Sequence, residues 1–131
     1  MSAGRRISVE EYRSLINGSK SKRSKHNNHK VECDGHVFDS KAEMRRYLDL
    51  KLLQRAGRIR DLVLQPAYAI EIGIYTADFR YIDAQGVTHV EDVKGHATEA
   101  CKLRLKLMAR LGVLVELLTQ ESHPQYWRNA A

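Results

Sequence analysis

An α/β domain with the element order αβββαβ is the fold class this 131-residue sequence predicts, and three observations carry the prediction. Helical periodicity bounded by a polar start and a glycine stop occurs twice, over 40–57 and 98–112. Strand-forming runs broken by Pro66 and by Asp83-Ala-Gln-Gly86 fill the interval between them. A short apolar run, 113–118, follows the second helix.

Taken in order, Ser8-Val-Glu-Glu11 has capping-box spacing and predicts a short helix to about Ile16. Residues 30–38, with Asp34-Gly35 at their centre, read as a small hairpin. Ser40-Lys-Ala-Glu43 is a second capping box, opening a helix through Ala56 that stops at Gly57. Its apolar stripe is expected at Ala42, Leu48, Leu52 and Leu53 with Tyr47 beside it, and its charges Arg45, Arg46, Lys51 and Arg55 elsewhere. Residues 59–65 and 67–72, parted by Pro66, form one kinked strand or two short ones. A hairpin follows, with strands 76–82 and 87–93 around the turn 83–86. The second helix is expected to face inward through Leu103, Leu107 and Leu111 and to close at Gly112 before strand 113–118. Residues 119–131 read as a loosely held tail in which Tyr126 and Trp127 are the groups able to dock.

The chemistry is concentrated in the central hairpin. Asp78 lies in its first apolar run, and the second run ends in Glu91-Asp92-Val93-Lys94-Gly95. Adjacent strands would bring Asp78 and Asp92 together. Two carboxylates at close range repel and raise the pKa of one or both, and a divalent cation is the usual compensation. Alternation puts Asp92 and Lys94 on one face and turns Val93 toward the core and Glu91 away, which makes Glu91 the weaker ligand. Gly95 is expected to let the chain turn sharply out of the strand. An Asp inside a strand is disfavoured by propensity, and that conflict marks position 78 as functional. Plain structural roles exist beside these: Glu43 as a helix cap alone, and Asp92 with Lys94 as a surface ion pair.

Charge sharpens the reading when it is located. Of 22 Lys and Arg against 16 Asp and Glu, residues 1–30 hold eight basic and two acidic ones, so the whole formal excess of +6 lies there. The stretch Ser19–Lys30 contains Lys20, Lys22, Arg23, Lys25 and Lys30 with no acid, the composition of a mobile arm able to neutralise phosphates without reading sequence. A solubilising tail is the bland alternative. The length suits a single folded domain, here residues 30–118 behind an arm of 1–29. No signal peptide or bilayer-spanning stretch is visible and the two cysteines suggest no disulfide framework, so a reducing cytoplasm is expected.

The order of elements, with Asp78 on one strand and Asp92-x-Lys94 on the next, resembles the PD-(D/E)XK superfamily and its restriction-endonuclease-like fold, a mixed central sheet flanked by helices. The runs Val37-Phe-Asp-Ser-Lys-Ala-Glu43, Ala77-Asp-Phe-Arg-Tyr81 and Val90-Glu-Asp-Val-Lys-Gly95 are similar to small phage and prophage proteins grouped with Holliday junction resolvases. The resemblance spans about residues 30–118. It implies metal binding by Asp78, Asp92, the Val93 carbonyl and Glu43, with Lys94 orienting or helping deprotonate the attacking water. Ala77 stands where the motif has proline, and the second acid is the Asp variant. The implied cofactor is Mg²⁺ or Mn²⁺, with no small-molecule cofactor. The implied activity is hydrolysis of phosphodiesters in branched DNA by a homodimer away from any membrane. The alternatives are a catalytically silent nucleic-acid-binding module and a phage nicking or end-processing nuclease. Phosphodiester hydrolysis suits this donor set: a bound ion supplies a nucleophilic water near neutral pH and polarises the phosphoryl oxygen, and oxygen ligands favour a hard ion.

Further candidates are Gln65, in a Gln-x-x-Tyr spacing with Tyr68, and Lys102, Lys106 and Arg110, which share a helical face able to line a groove or simply to be solvated. His26, His29, Cys33 and His36 have side chains able to bind zinc. Their spacing matches no known finger, and they straddle the arm and the first hairpin. His89 and His96 flank the motif without a required role.

Overall fold

The computed structural model describes residues 30–128. The helix expected from Ser8, the arm residues Lys20, Lys22, Arg23 and Lys25, and His26 and His29 lie outside the described residues, as do positions 129–131.

The chain opens with hairpin β1 (Val31–Cys33) and β2 (His36–Phe38). Cys33 pairs with His36, leaving a two-residue loop in which Asp34 and Gly35 both have positive φ, the geometry that Asp-Gly tolerates best. Helix α1 (Lys41–Arg55) starts where the Ser40 hydroxyl accepts the Glu43 N–H at 3.1 Å, and left-handed Gly57 follows its end. Then come β3 (Ile59–Leu64), hairpin β4 (Ala67–Ile70) and β5 (Gly73–Thr76), β6 (Phe79–Asp83), β7 (Thr88–Val93), α2 (Glu99–Arg110) and β8 (Val115–Leu118). A 3₁₀ turn, Pro124–Tyr126, ends the described chain.

Strands β3, β6, β7 and β8 form a mixed sheet in that order. The first three are antiparallel, and β8 returns parallel to β7 after the α2 crossover. The protein is thus α/β, and α1, β3, β6, β7, α2 and β8 appear in the expected αβββαβ order. Pro66 separates two strands rather than kinking one, because β4 leaves to pair with β5 in a sheet of its own. Alternation along β7 sends Val90 to a core of Tyr75, Ala77 and Met108 under α2, and Val93 to a larger core of Phe79, Tyr81, Leu50 and Tyr47 under α1. The sheet is therefore covered on both faces.

Both helices bury only part of the expected stripe: Ala42, Tyr47 and Leu107 are buried and Leu53 packs against the core, but the rest differs. On α1 the buried residues are Ala42, Glu43, Tyr47 and Leu50, while Leu48 and Leu52 are exposed. The helix turns its acid and Arg46 inward because Arg46 finds Glu91 on β7, a partner that hydrophobic periodicity does not reveal. On α2, Cys101, Leu107 and Met108 are buried, and Leu103 and Leu111 are exposed. The last residues are also held more firmly than their composition suggests: Tyr126 is buried, and Trp127 packs against the α1 core. No helix among the described residues is long and apolar enough to cross a membrane.

Candidate functional site

Asp78 is not inside a strand. It occupies the bend between β5 and β6, where its N–H donates to the Glu91 carbonyl at 3.0 Å and its carbonyl accepts from Gln65 N–H at 2.9 Å. An Asp is well tolerated at such a bend, so the strand-propensity conflict expected here does not arise. Its environment is the distinguishing feature. Oδ2 accepts the Val93 N–H at 2.7 Å, and burial, then the neighbouring Asp92 and Glu43 carboxylates, raise its pKa well above the ordinary range.

Glu43 approaches from α1 and Asp92 from β7. Glu43 is buried. Its backbone takes the Ser40 cap, but its carboxylate reaches past Ser40 to accept the Asp39 N–H at 3.3 Å. Burial, with Asp39 and Asp92 adding repulsion, pushes Glu43 up to about 7. A cap alone does not account for an acid so placed. Asp92 is only 2% exposed and accepts a hydrogen bond from the Tyr75 hydroxyl. Sequence reasoning missed Tyr75. Its place in a strand-forming run carries no sign that it faces an acid. The Lys94 ammonium lies 3.8 Å from Asp92 Oδ2, on a side chain 45% exposed. Burial works against its charge, but attraction to Asp92 and Asp78 outweighs that and raises its pKa, so Lys94 is a cation at neutral pH.

Glu43, Asp78, Val93 and Lys94 line one cleft of roughly 590 Å³, and Lys41 and Trp127 belong to the same lining. Asp92 lies behind this surface rather than on it, although alternation puts it on the same strand face as Lys94. Gly95 is also on the wall, but its φ is not left-handed, and a Cβ there would meet only Gln120 Nε2 at 3.9 Å. The turn out of β7 does not require glycine. Glu43 also borders a second cleft of about 260 Å³ with His36, Val37 and Gln65. Gln65 thus sits next to the acids, whereas Tyr68 packs toward the α2 core, so the two do not act as a pair.

The remaining candidates are dispersed. Lys30 pairs with Asp39 at 3.1 Å, Lys102 with Glu99 at 3.5 Å and Arg110 with Glu71 at 3.4 Å; Lys106 is exposed. Cys33 packs at the core edge and His36 lies edge-on to Tyr47. His89, left without a role by the sequence, is clasped by Asp83 at 2.7 Å and Glu116 at 2.6 Å. Glu91 points away from Asp92, as expected from alternation. It meets Arg46 at 2.6 Å and accepts from the Tyr81 hydroxyl.

Among the described residues, no three His, Cys, Asp or Glu side chains are grouped to hold a metal ion as they stand. Oxygens of Asp78 and Asp92 are engaged by Val93 and Tyr75. The donor set, carboxyl oxygens beside a backbone carbonyl, is nonetheless of the chemistry that suits a hard divalent cation.

A family model matches residues 23–117, well over half of the chain. The chain belongs to the family described as Protein of unknown function (DUF1064). The DUF1064 match extends from the basic arm through nearly all of β8 and so contains every carboxylate of the cleft. No curated protein and no solved structure matches the chain.

Proposed function

We propose that this protein is a divalent-metal-dependent DNA endonuclease with a PD-(D/E)XK, restriction-endonuclease-like core, selective for branched DNA in the manner of a Holliday junction resolvase and acting as a homodimer. The observation that carries the reading is that Glu43, Asp78 and Lys94 line one cleft, with buried Asp92 behind it at 3.8 Å from the Lys94 ammonium. Buried acids near one another are costly when ionised, and a bound cation offsets that cost. Mg²⁺ or Mn²⁺ bound by Asp78, Asp92, Glu43 and the Val93 carbonyl would supply an activated water and a Lewis acid. The chain itself contributes position and field. Tyr75 and the Val93 N–H fix the orientation of Asp92 and Asp78. Lys94 would offset negative charge developing on phosphorus and orient or help deprotonate the attacking water. Lys41, on the cleft lining, supplies a phosphate contact there, and the exposed Lys102, Lys106 and Arg110 of α2 and the basic composition of the sequence before residue 30 add to the attraction for DNA.

The preference for junctions rests on the sequence resemblance. Incubating the protein with labelled four-way junction, duplex and single strand, with and without Mg²⁺, tests both parts. Metal-dependent cutting that disappears in Asp78→Asn is expected. Identical, metal-independent behaviour of the two proteins would end the nuclease reading. One observation favours a silent nucleic-acid-binding module instead: the carboxylate oxygens are already bonded to Tyr75 and Val93. That module would bind DNA without Mg²⁺ and leave it intact.

A further inference from the structure

We infer that Trp127 is a stacking platform for an unpaired nucleobase next to the phosphate being cut, so that the cleft takes DNA with unpaired nucleotides in preference to continuous duplex. The inference rests on the nuclease reading and adds its substrate selectivity.

Trp127 is the only tryptophan of the chain, and it stands on the wall of the cleft that holds Glu43, Asp78 and Lys94. Its position is built. The Arg45 guanidinium donates from Nη1 to the carbonyls of Tyr126 and Arg128, both at 2.9 Å, and so clamps the backbone on each side of the indole. Tyr126 is buried and its hydroxyl accepts from Arg46 Nη1 at 3.1 Å, and the backbone N–H of Trp127 closes the 3₁₀ turn on the Pro124 carbonyl at 3.0 Å. Arg45 is two residues from Glu43 on α1, which couples the placement of the indole to that of the acid.

The indole packs against the α1 core and remains partly exposed, on a cleft lining that also carries Lys41, Glu43, Asp78 and Lys94. Its face offers what a base needs, since every base has a π-surface and base–aromatic stacking is tolerant of sequence. Lys41, exposed on the same wall, supplies a cation for the adjoining phosphate. A base paired inside a duplex cannot reach such a face without leaving its stack, at a cost of a few kcal/mol. Branch points, flaps and single strands avoid that cost.

The single tryptophan makes the test direct. The full chain is titrated in EDTA with an oligothymidylate and with a blunt duplex of equal length, while indole fluorescence and anisotropy of the labelled DNA are read. The oligothymidylate should quench the emission and the duplex should not. Trp127→Ala should weaken oligothymidylate binding about tenfold with little change for duplex, and Trp127→Phe should recover most of the loss. Equal quenching by both DNAs, or oligothymidylate binding with unchanged emission, would overturn the inference. Quenching by single strand without cleavage in Mg²⁺ would support the platform and remove the nuclease reading. Cleavage without quenching would do the reverse.

Discussion

Glu91 and Asp92 are neighbours on β7, both almost wholly buried, yet they meet opposite electrostatic surroundings on the two faces of one strand. Glu91 is neutralised by a bidentate Arg46, with contacts of 2.8 and 2.6 Å, and capped by Tyr81. Asp92 has Tyr75, a more distant Lys94 and two further acids. The first arrangement closes a charge account within the chain. The second leaves it open to something outside, and that difference separates a structural ion pair from a binding site.

The largest expected effects break the closed side. Arg46→Met leaves Glu91 buried and unpaired and should cost about 3 to 5 kcal/mol of stability, read from urea unfolding. On the open side the sign reverses: Asp78→Asn relieves repulsion and offers Asp92 a donor, so the metal-free protein should keep or gain stability. Its junction cleavage should fall by roughly 10²-fold or more, as when a group stabilising transition-state charge is lost. A variant losing both fold and activity at Asp78 would erase the distinction between the two faces. A smaller effect sharpens it: Mg²⁺ at about 100 times its dissociation constant should stabilise the native chain by about 2.7 kcal/mol and leave Asp78→Asn unmoved, which thermal melts can resolve.

Features set by neighbouring residues were legible in the sequence. The Asp34-Gly35 turn, the Ser40 cap and the glycines ending both helices are decided within a few residues, and Asp92 and Lys94 lie together because strands alternate. Features set by distant partners were not. Arg46 points inward for the sake of Glu91, 45 positions away, so α1 leaves Leu48 and Leu52 exposed against its apparent pattern. The hydroxyl of Tyr75 and the clamp on Trp127 likewise exist only once the sheet and α1 are assembled. Asp78 itself lies at a bend between β5 and β6 rather than within the strand its neighbours suggested.

The subtlest prediction concerns pH. Glu43, raised from 4.5 to about 7 by burial and by Asp39, folds more readily protonated than ionised. Its stabilising contribution is therefore complete below 4.5 and lost as pH climbs to about 7. His89 is also raised, by its hydrogen bond to Asp83 and against partial burial, with Glu116 adding to the rise. Its contribution is complete below the ordinary 6.5 and fades above it, and because the three side chains are partly solvated it is worth at most about 1 kcal/mol. Both groups thus lower stability with rising pH, but in successive windows. Glu43→Gln should flatten the acid part of the metal-free stability profile and His89→Asn only the part above 6.5. Saturating Mg²⁺ should flatten the first part alone, since a cation at the carboxylates favours their ionised forms while His89 lies at the far end of β7. A magnesium effect confined to the upper window would mean that the ion binds near Asp83 and Glu116, and the open account on the Asp92 face would have to be closed some other way.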